Sequence, residues 1–321
     1  MYPKDWLIKI DKNTYIVCDH MYGFTQDFKN YYLDKLVDPC KVYSLFVMPN
    51  SVKKNYPHIE FINAGIGTYV RLTHKLDNLP DHDLNECKTF ISCFNNNDHV
   101  GRQFLCSHLF KQGWWHSETC TKNFQYSVET LEGNVALWSN NERLHRKFIV
   151  DSNDMSTNFY QTPYQFGTGD PNGSTPWVNY EYLKSGMQKA FLHLVSETLP
   201  TSYVPLLTEK CITPMLSKTM WIAYGPLGYH KMLVDIYGFK LYNSIFDYTF
   251  DTLANPIERL LSLTKMLSVF SQLNKDDWYD LYHMEKETTE FNKDHFLSRT
   301  YLENVDIESP QYKGQRYGKT I

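Results

Sequence analysis

The strongest constraint on this chain is an alternation: short apolar, β-branched runs too brief for helices are followed by longer stretches with helical spacing. Thr14 to Cys18 (TYIVC) and Val42 to Met48 (VYSLFVM) read as strands, closed by Asp19-His20 and Pro49-Asn50. Between them, Phe24, Phe28, Tyr31, Tyr32 and Leu36 recur at helical spacing over Gly23 to Val37. A third run, Thr89 to Phe94, precedes a helix over Gly101 to Lys111, with Phe104, Leu105, His108 and Leu109 on one face and Gly113 as its stop. Further on, Leu192 to Ser196 reads as helix or strand and a helix starts near Thr208. A strand Thr219 to Tyr224, a Gly225-Pro226 turn, a helix Leu227 to Tyr237 and a short strand Lys240 to Tyr242 follow. Asn255 and Pro256, as N-cap and first helical residue, open a helix over Ile257 to Leu273. Repeated β and α units imply an α/β fold with parallel sheets flanked by helices.

At 321 residues the chain is long enough for two domains of about 150 residues each. The polar, proline-containing stretch Asn78 to Glu86 is the natural boundary. This divides the chain into an N-terminal domain (1–85), a second domain (86–275), and a helical extension with a basic tail (276–321) carrying Lys313, Arg316 and Lys319. Ser152 to Tyr180 holds six proline and glycine breakers and is expected to be a long functional loop. No apolar stretch approaches the roughly 18–20 residues of a membrane span, and the N-terminus lacks a secretory pattern, so a cytoplasmic protein without membrane contact is expected. The seven cysteines are scattered and never spaced C-x-x-C, which fits free thiols. Cys93, Cys106 and His108 lack the close ligand pair of a zinc site.

A net charge of −4 gives no global attraction to nucleic acid, so only a local basic patch can bind it. The most suggestive local chemistry is Thr208-Glu209-Lys210 at a helix start, where dipole and amides favour anions. A glutamate there can accept from two adjacent ribose hydroxyls, and the neighbouring lysine can offset diphosphate charge. The plain alternative is a capping threonine followed by two surface charges.

Context extends the motif. Ser196-Glu197-Thr198, Leu206-Leu207-Thr208-Glu209-Lys210, Pro214, Trp221 to Pro226, Gly238-Phe239 and the acidic stretch Asp247 to Asp251 follow one another in a telling order. That order resembles the donor-binding domain of a glycosyltransferase family of tailed bacteriophages, related to the fucosyltransferase and exostosin-like families. Upstream, Phe90 to Asn95 with Arg102 is similar to that family's F-x-x-x-x-N strand followed by a helix-start arginine. The resemblance spans about residues 88–275. Cys211-Ile212 replaces an aromatic of the family, and residues 1–85 carry no recognisable family pattern. It implies a GT-B enzyme of two Rossmann-like domains whose co-substrate is a nucleotide sugar, bound by Arg102, Thr208, Glu209 and Lys210 with support from Arg146.

A departing nucleotide diphosphate needs either a metal held by D-x-D or cationic side chains and helix dipoles. Asp81-His82-Asp83 matches D-x-D but lies in a polar linker rather than at a strand end, and reads as a solvated loop. Arg102 and Lys210 are then the electrostatic groups of a metal-independent enzyme needing no cofactor, although an exposed helix-start arginine is an equal reading of Arg102. For the general base, Asp19 follows a strand, where ligands of parallel sheets sit; His20 and Glu60 are the reserves. The resemblance points to two acceptors: a hydroxymethylated pyrimidine in double-stranded DNA, which is preferred, or a bacterial glycan. Arg143, His145, Arg146 and Lys147 form a basic cluster for DNA, and Trp114 and Trp115 can stack a base or simply fill a core. The rival is a non-catalytic nucleotide- or DNA-binding protein of the same fold.

Overall fold

A computed structural model of the chain describes residues 7–12, 14–17, 33–44, 50–63, 80–95, 100–122, 186–197 and 208–298. They form two four-stranded sheets with helices.

The first sheet is ordered β1 (Leu7–Asp11), β2 (Thr14–Val17), β3 (Cys40–Ser44), β4 (Ile59–Asn63). The latter three run parallel, with the short helix α1 (Asn50–Asn55) carrying the chain from β3 to β4. The pleat sorts the side chains of β3 and β4. Val42 and Phe61, register partners, are buried, whereas the adjacent pair Lys41 and Glu60 is half exposed and ion-paired at 3.0 Å. β1 departs from the all-parallel expectation: it is a hairpin arm antiparallel to β2. It forms one edge of the sheet.

The second sheet comprises β5 (Thr89–Asn95), β6 (Cys120–Lys122), β7 (Ala190–Ser196) and β8 (Trp221–Tyr224) in the order β6-β5-β7-β8, all parallel. β7 is buried along its whole length, which is why its sequence lacks alternation and reads equally as helix. α2 (Val100–Lys111) links β5 to β6 and α3 (Glu209–Leu216) links β7 to β8. Because these crossovers step in opposite directions, right-handed connection sends the two helices to opposite faces.

α4 (Tyr229–Asp235) and α5 (Pro256–Phe270) follow, then α6 (Lys275–Met284) and α7 (Lys286–Ser298). Asn255 caps α5 by accepting from the amides of Ile257 and Glu258 at 2.8 and 3.3 Å, with Pro256 in the first turn as its fixed φ favours. A capping box of Asn274 and Asp277 starts α6, which seats Trp278 in the core, stacked on Phe191 with centroids 5.4 Å apart. The second core runs from Ile91 and Leu192 through Ile222 to Leu260 and Phe296. Lys240 to Tyr242 is not a strand. The Asn292 amide of α7 takes both main-chain groups of Lys240, donating to its carbonyl at 2.9 Å and accepting its amide at 2.8 Å, in place of a neighbouring strand.

Candidate functional site

The second sheet reverses direction between β5 and β7: the chain proceeds outward to β6 on one side and to β8 on the other. In open parallel sheets this switch point opens a crevice beyond the carboxyl ends of the strands, where ligands bind. The residues there are Asn95, Lys122, Ser196 with Glu197, and Tyr224 with Gly225.

Glu197 continues β7 by donating its amide to the Tyr224 carbonyl at 3.0 Å, and only 4% of it is exposed. A buried carboxylate must be compensated. Here the Thr208 hydroxyl donates to Oε1 at 2.7 Å, the Tyr229 hydroxyl donates to the same atom at 2.8 Å, and Lys210 Nζ stands 4.0 Å from Oε2. Thr208 caps α3 at the same time, accepting the Lys210 amide at 3.3 Å. Burial, reinforced by Cys211 and Glu197, pushes the Tyr229 hydroxyl well above its ordinary range, so it stays a donor. The close turn at Gly225-Pro226 makes this possible: a Cβ on residue 225 would lie 2.8 Å from Tyr229 Cγ. The group therefore fixes a cation, 21% exposed on its side chain, in the first turn of a helix beside the crevice. Thr208 and Lys210 are thus brought together, and Lys210 is more than an ordinary surface charge. Glu209 opens α3, and its side chain lies outside the described set.

Arg102 sits in the first turn of α2 and is 3% exposed, so the alternative of an exposed helix-start arginine falls. It lies close enough to Cys93 and Cys106 to act electrostatically on both. Burial raises those thiols and pushes Cys120 up to about 11, which leaves all three protonated at neutral pH. Trp114 and Trp115 are partly buried against the core, Trp114 meeting Phe90 edge to face at 5.2 Å. Glu60 is mid-strand in the first sheet, in the Lys41 ion pair. Asp19, His20, Arg143, Arg146 and Lys147 lie outside the described residues, as does the expected loop 152–180.

Asp81-His82-Asp83 differs from a solvated loop. Asp81 is bridged by Lys218 at 3.0 Å and Lys293 at 2.7 Å, and Asp83 caps a 3-10 turn at Leu84–Glu86. His82 is buried, its Nε2 donating to the Ala190 carbonyl at 3.0 Å. Among the described residues no group of three or more His, Cys, Asp or Glu is arranged to hold a metal, and no helix is long and apolar enough to cross a membrane.

Sequence reasoning missed two buried polar groupings. Glu197 was visible within Ser196-Glu197-Thr198, but nothing in the spacing announces that it meets Lys210. The second is His230, whose Nε2 accepts the Ala223 amide at 3.2 Å while Asp251 holds Nδ1 at 3.1 Å. A shallow depression of about 630 Å³ over Asn243, Phe246, Asp247 and Tyr248 has no lysine or arginine among the described residues of its lining and does not suit a diphosphate. Comparison with protein-family models, curated proteins and solved structures finds no match.

Proposed function

We propose that this chain is a nucleotide-sugar-dependent glycosyltransferase of the GT-B type, built from two Rossmann-like domains and holding its donor at the carboxyl ends of β5, β7 and β8. The observation that carries the reading is Lys210, an ammonium set at the start of α3 beside the crevice and steadied by buried Glu197. In the reaction the acceptor oxygen attacks the anomeric carbon and the bond from that carbon to the phosphate oxygen breaks. The acceptor proton passes to a carboxylate, and the nucleotide diphosphate leaves. Lys210, Arg102 and the positive end of α3 stabilise the charge that develops on the leaving group without a metal. Glu209 takes the ribose hydroxyls, and Asp19, after β2, receives the proton.

The acceptor we propose is a hydroxymethyl pyrimidine in DNA, engaged by the basic cluster Arg143, Arg146 and Lys147. The test is incubation with labelled nucleotide sugars and either hydroxymethylcytosine-containing or unmodified DNA, followed by nucleoside mass spectrometry. A glycosylated hydroxymethyl nucleoside is the expected product. Label on a bacterial glycan and on neither DNA rejects the DNA acceptor and keeps the transferase.

A further inference from the structure

The last row of the second sheet is polar where the pairs beneath it on the same face, Cys93 with Cys120 and Leu194 with Ile222, are apolar. Asn95 is the register partner of Lys122, and Ser196 that of Tyr224. Extended by three residues, the β5–β7 register of Thr89 with Ala190 and Ser92 with His193 would set Asn95 beside Ser196, astride the switch point. Neighbouring strands lie about 4.8 Å apart, so one small group fits between the two side chains. Alternation puts Asn95 on the same face as Cys93, and Ser196 on the same face as Leu194 and Leu192. Cys106 of α2 interacts with Cys93, so α2 covers this face.

Both side chains are buried, at 1% and 2% exposure. The orientation of the Asn95 amide is fixed, because Nδ2 donates to the Thr121 carbonyl at 3.4 Å and to Cys93 Sγ at 3.3 Å. Its Oδ1 therefore faces the other way. Among the described residues, neither Asn95 Oδ1 nor Ser196 Oγ has a hydrogen-bond partner. Other buried hydroxyls here are satisfied: Ser92 Oγ meets His193 Nδ1 at 2.9 Å, and Ser217 Oγ donates to the Thr213 carbonyl at 3.1 Å. Two orphaned atoms at the carboxyl ends of adjacent strands call for an explanation.

We infer that Asn95 and Ser196 together bind one hydroxyl group of the ligand held at these strand ends. Oδ1 only accepts, so its partner must donate; Ser196 Oγ–H can donate to that same partner. A phosphate oxygen cannot give the first bond, and an ammonium, which only donates, would leave the Ser196 proton without an acceptor. An alcohol does both. Water does as well, and the experiment below separates a structural water from a ligand hydroxyl. Lys122, fully buried, and Arg102 flank the pair on its β6 and α2 sides, an electropositive setting for the oxygen-rich part of a sugar or ribose. That the alcohol belongs to a nucleotide sugar rests on the function proposed above; the orphaned pair itself does not.

The experiment is calorimetric titration of the full chain with UDP-glucose, UDP-galactose, GDP-mannose, bare UDP and GDP, and free glucose and mannose. Wild type, Ser196→Ala and Asn95→Leu are compared, with melting temperatures of each unliganded protein. Ser196→Ala is expected to weaken the ligand that binds wild type by about fivefold, one neutral hydrogen bond, while its unliganded melting temperature stays level or rises. Weakening of the nucleotide sugar but not of the bare nucleotide assigns the hydroxyl to the sugar; equal weakening of both assigns it to ribose. Unchanged affinity in both variants, with a lower unliganded melting temperature, overturns the inference and marks a structural water. If wild type binds a free sugar or nucleotide but no nucleotide sugar, the donor reading fails, and the pair still stands or falls by the Ser196→Ala ratio. Binding of none of the panel overturns both.

Discussion

A carboxylate as buried as Glu197 is stable only while its lone pairs are occupied, and two of its partners are neutral hydroxyls. The Tyr229 hydroxyl therefore bonds a charge, and its loss is felt more than that of an ordinary tyrosine. Tyr229→Phe is expected to lower unfolding free energy by about 1.5–3 kcal/mol in urea titrations, the range for hydrogen bonds to charged groups. A change below a few tenths would show that Glu197 does not depend on it. Two buried histidines contribute to acid sensitivity. Burial holds His82 at about 4 and His193 at about 3, both below the ordinary 6.5. Below pH 6.5 the unfolded chain binds protons at these two positions that the folded chain refuses, so their contribution to stability is complete above about 6.5 and is lost as pH falls toward 4. Melting temperatures from pH 8 to 4 should show that decline, and His82→Gln should make it shallower. An identical slope in the variant would exclude His82 as a contributor.

At the scale of elements, the Gly225-Pro226 turn couples the end of β8 to the site through Tyr229. Gly225→Ala drives a Cβ into the Tyr229 ring and should cost about 1–3 kcal/mol while reducing any donor-dependent thermal stabilisation, because Glu197 and Lys210 shift with the ring. Normal donor stabilisation in that variant would separate Tyr229 from ligand binding. The edge of β8 has its own device, since the His230 ring accepts the outward Ala223 amide as another strand would. α4 starts at Gly228, which has φ +71° and no capping side chain, so Asp251 accepts the His230 amide at 3.0 Å instead.

These contacts mark what sequence could carry. The runs at Thr14, Val42, Thr89 and Thr219 became β2, β3, β5 and β8 because β-branched, apolar segments of four to seven residues have few other fates. The capped helix at Asn255 was legible for the same local reason. β6, only CTK, carries no periodicity, and Lys240 lost strand pairing to Asn292, 52 positions away. Likewise the T-E-K cap was readable, whereas the Glu197–Lys210 contact and the Asn95–Ser196 row depend on strand order, which no local pattern encodes.

At the scale of the whole molecule, the described α/β architecture has two sheets, parallel except for the β1 arm, and gathers cations, a buried acid and orphaned polar atoms at one set of strand ends. The account's central claim is that a nucleotide sugar binds there and is cleaved with side-chain cations in place of a metal. The most direct measurement is release of nucleotide diphosphate from a panel of nucleotide sugars by wild type and Lys210→Gln, with and without EDTA. Each protein's thermal shift is taken against its own unliganded baseline, since the substitution also unbalances Glu197. The account predicts slow release and stabilisation by at least one donor, unaffected by EDTA and lost in Lys210→Gln. Release that stops in EDTA and returns with Mn²⁺, or no release and no stabilisation by any donor, would contradict it.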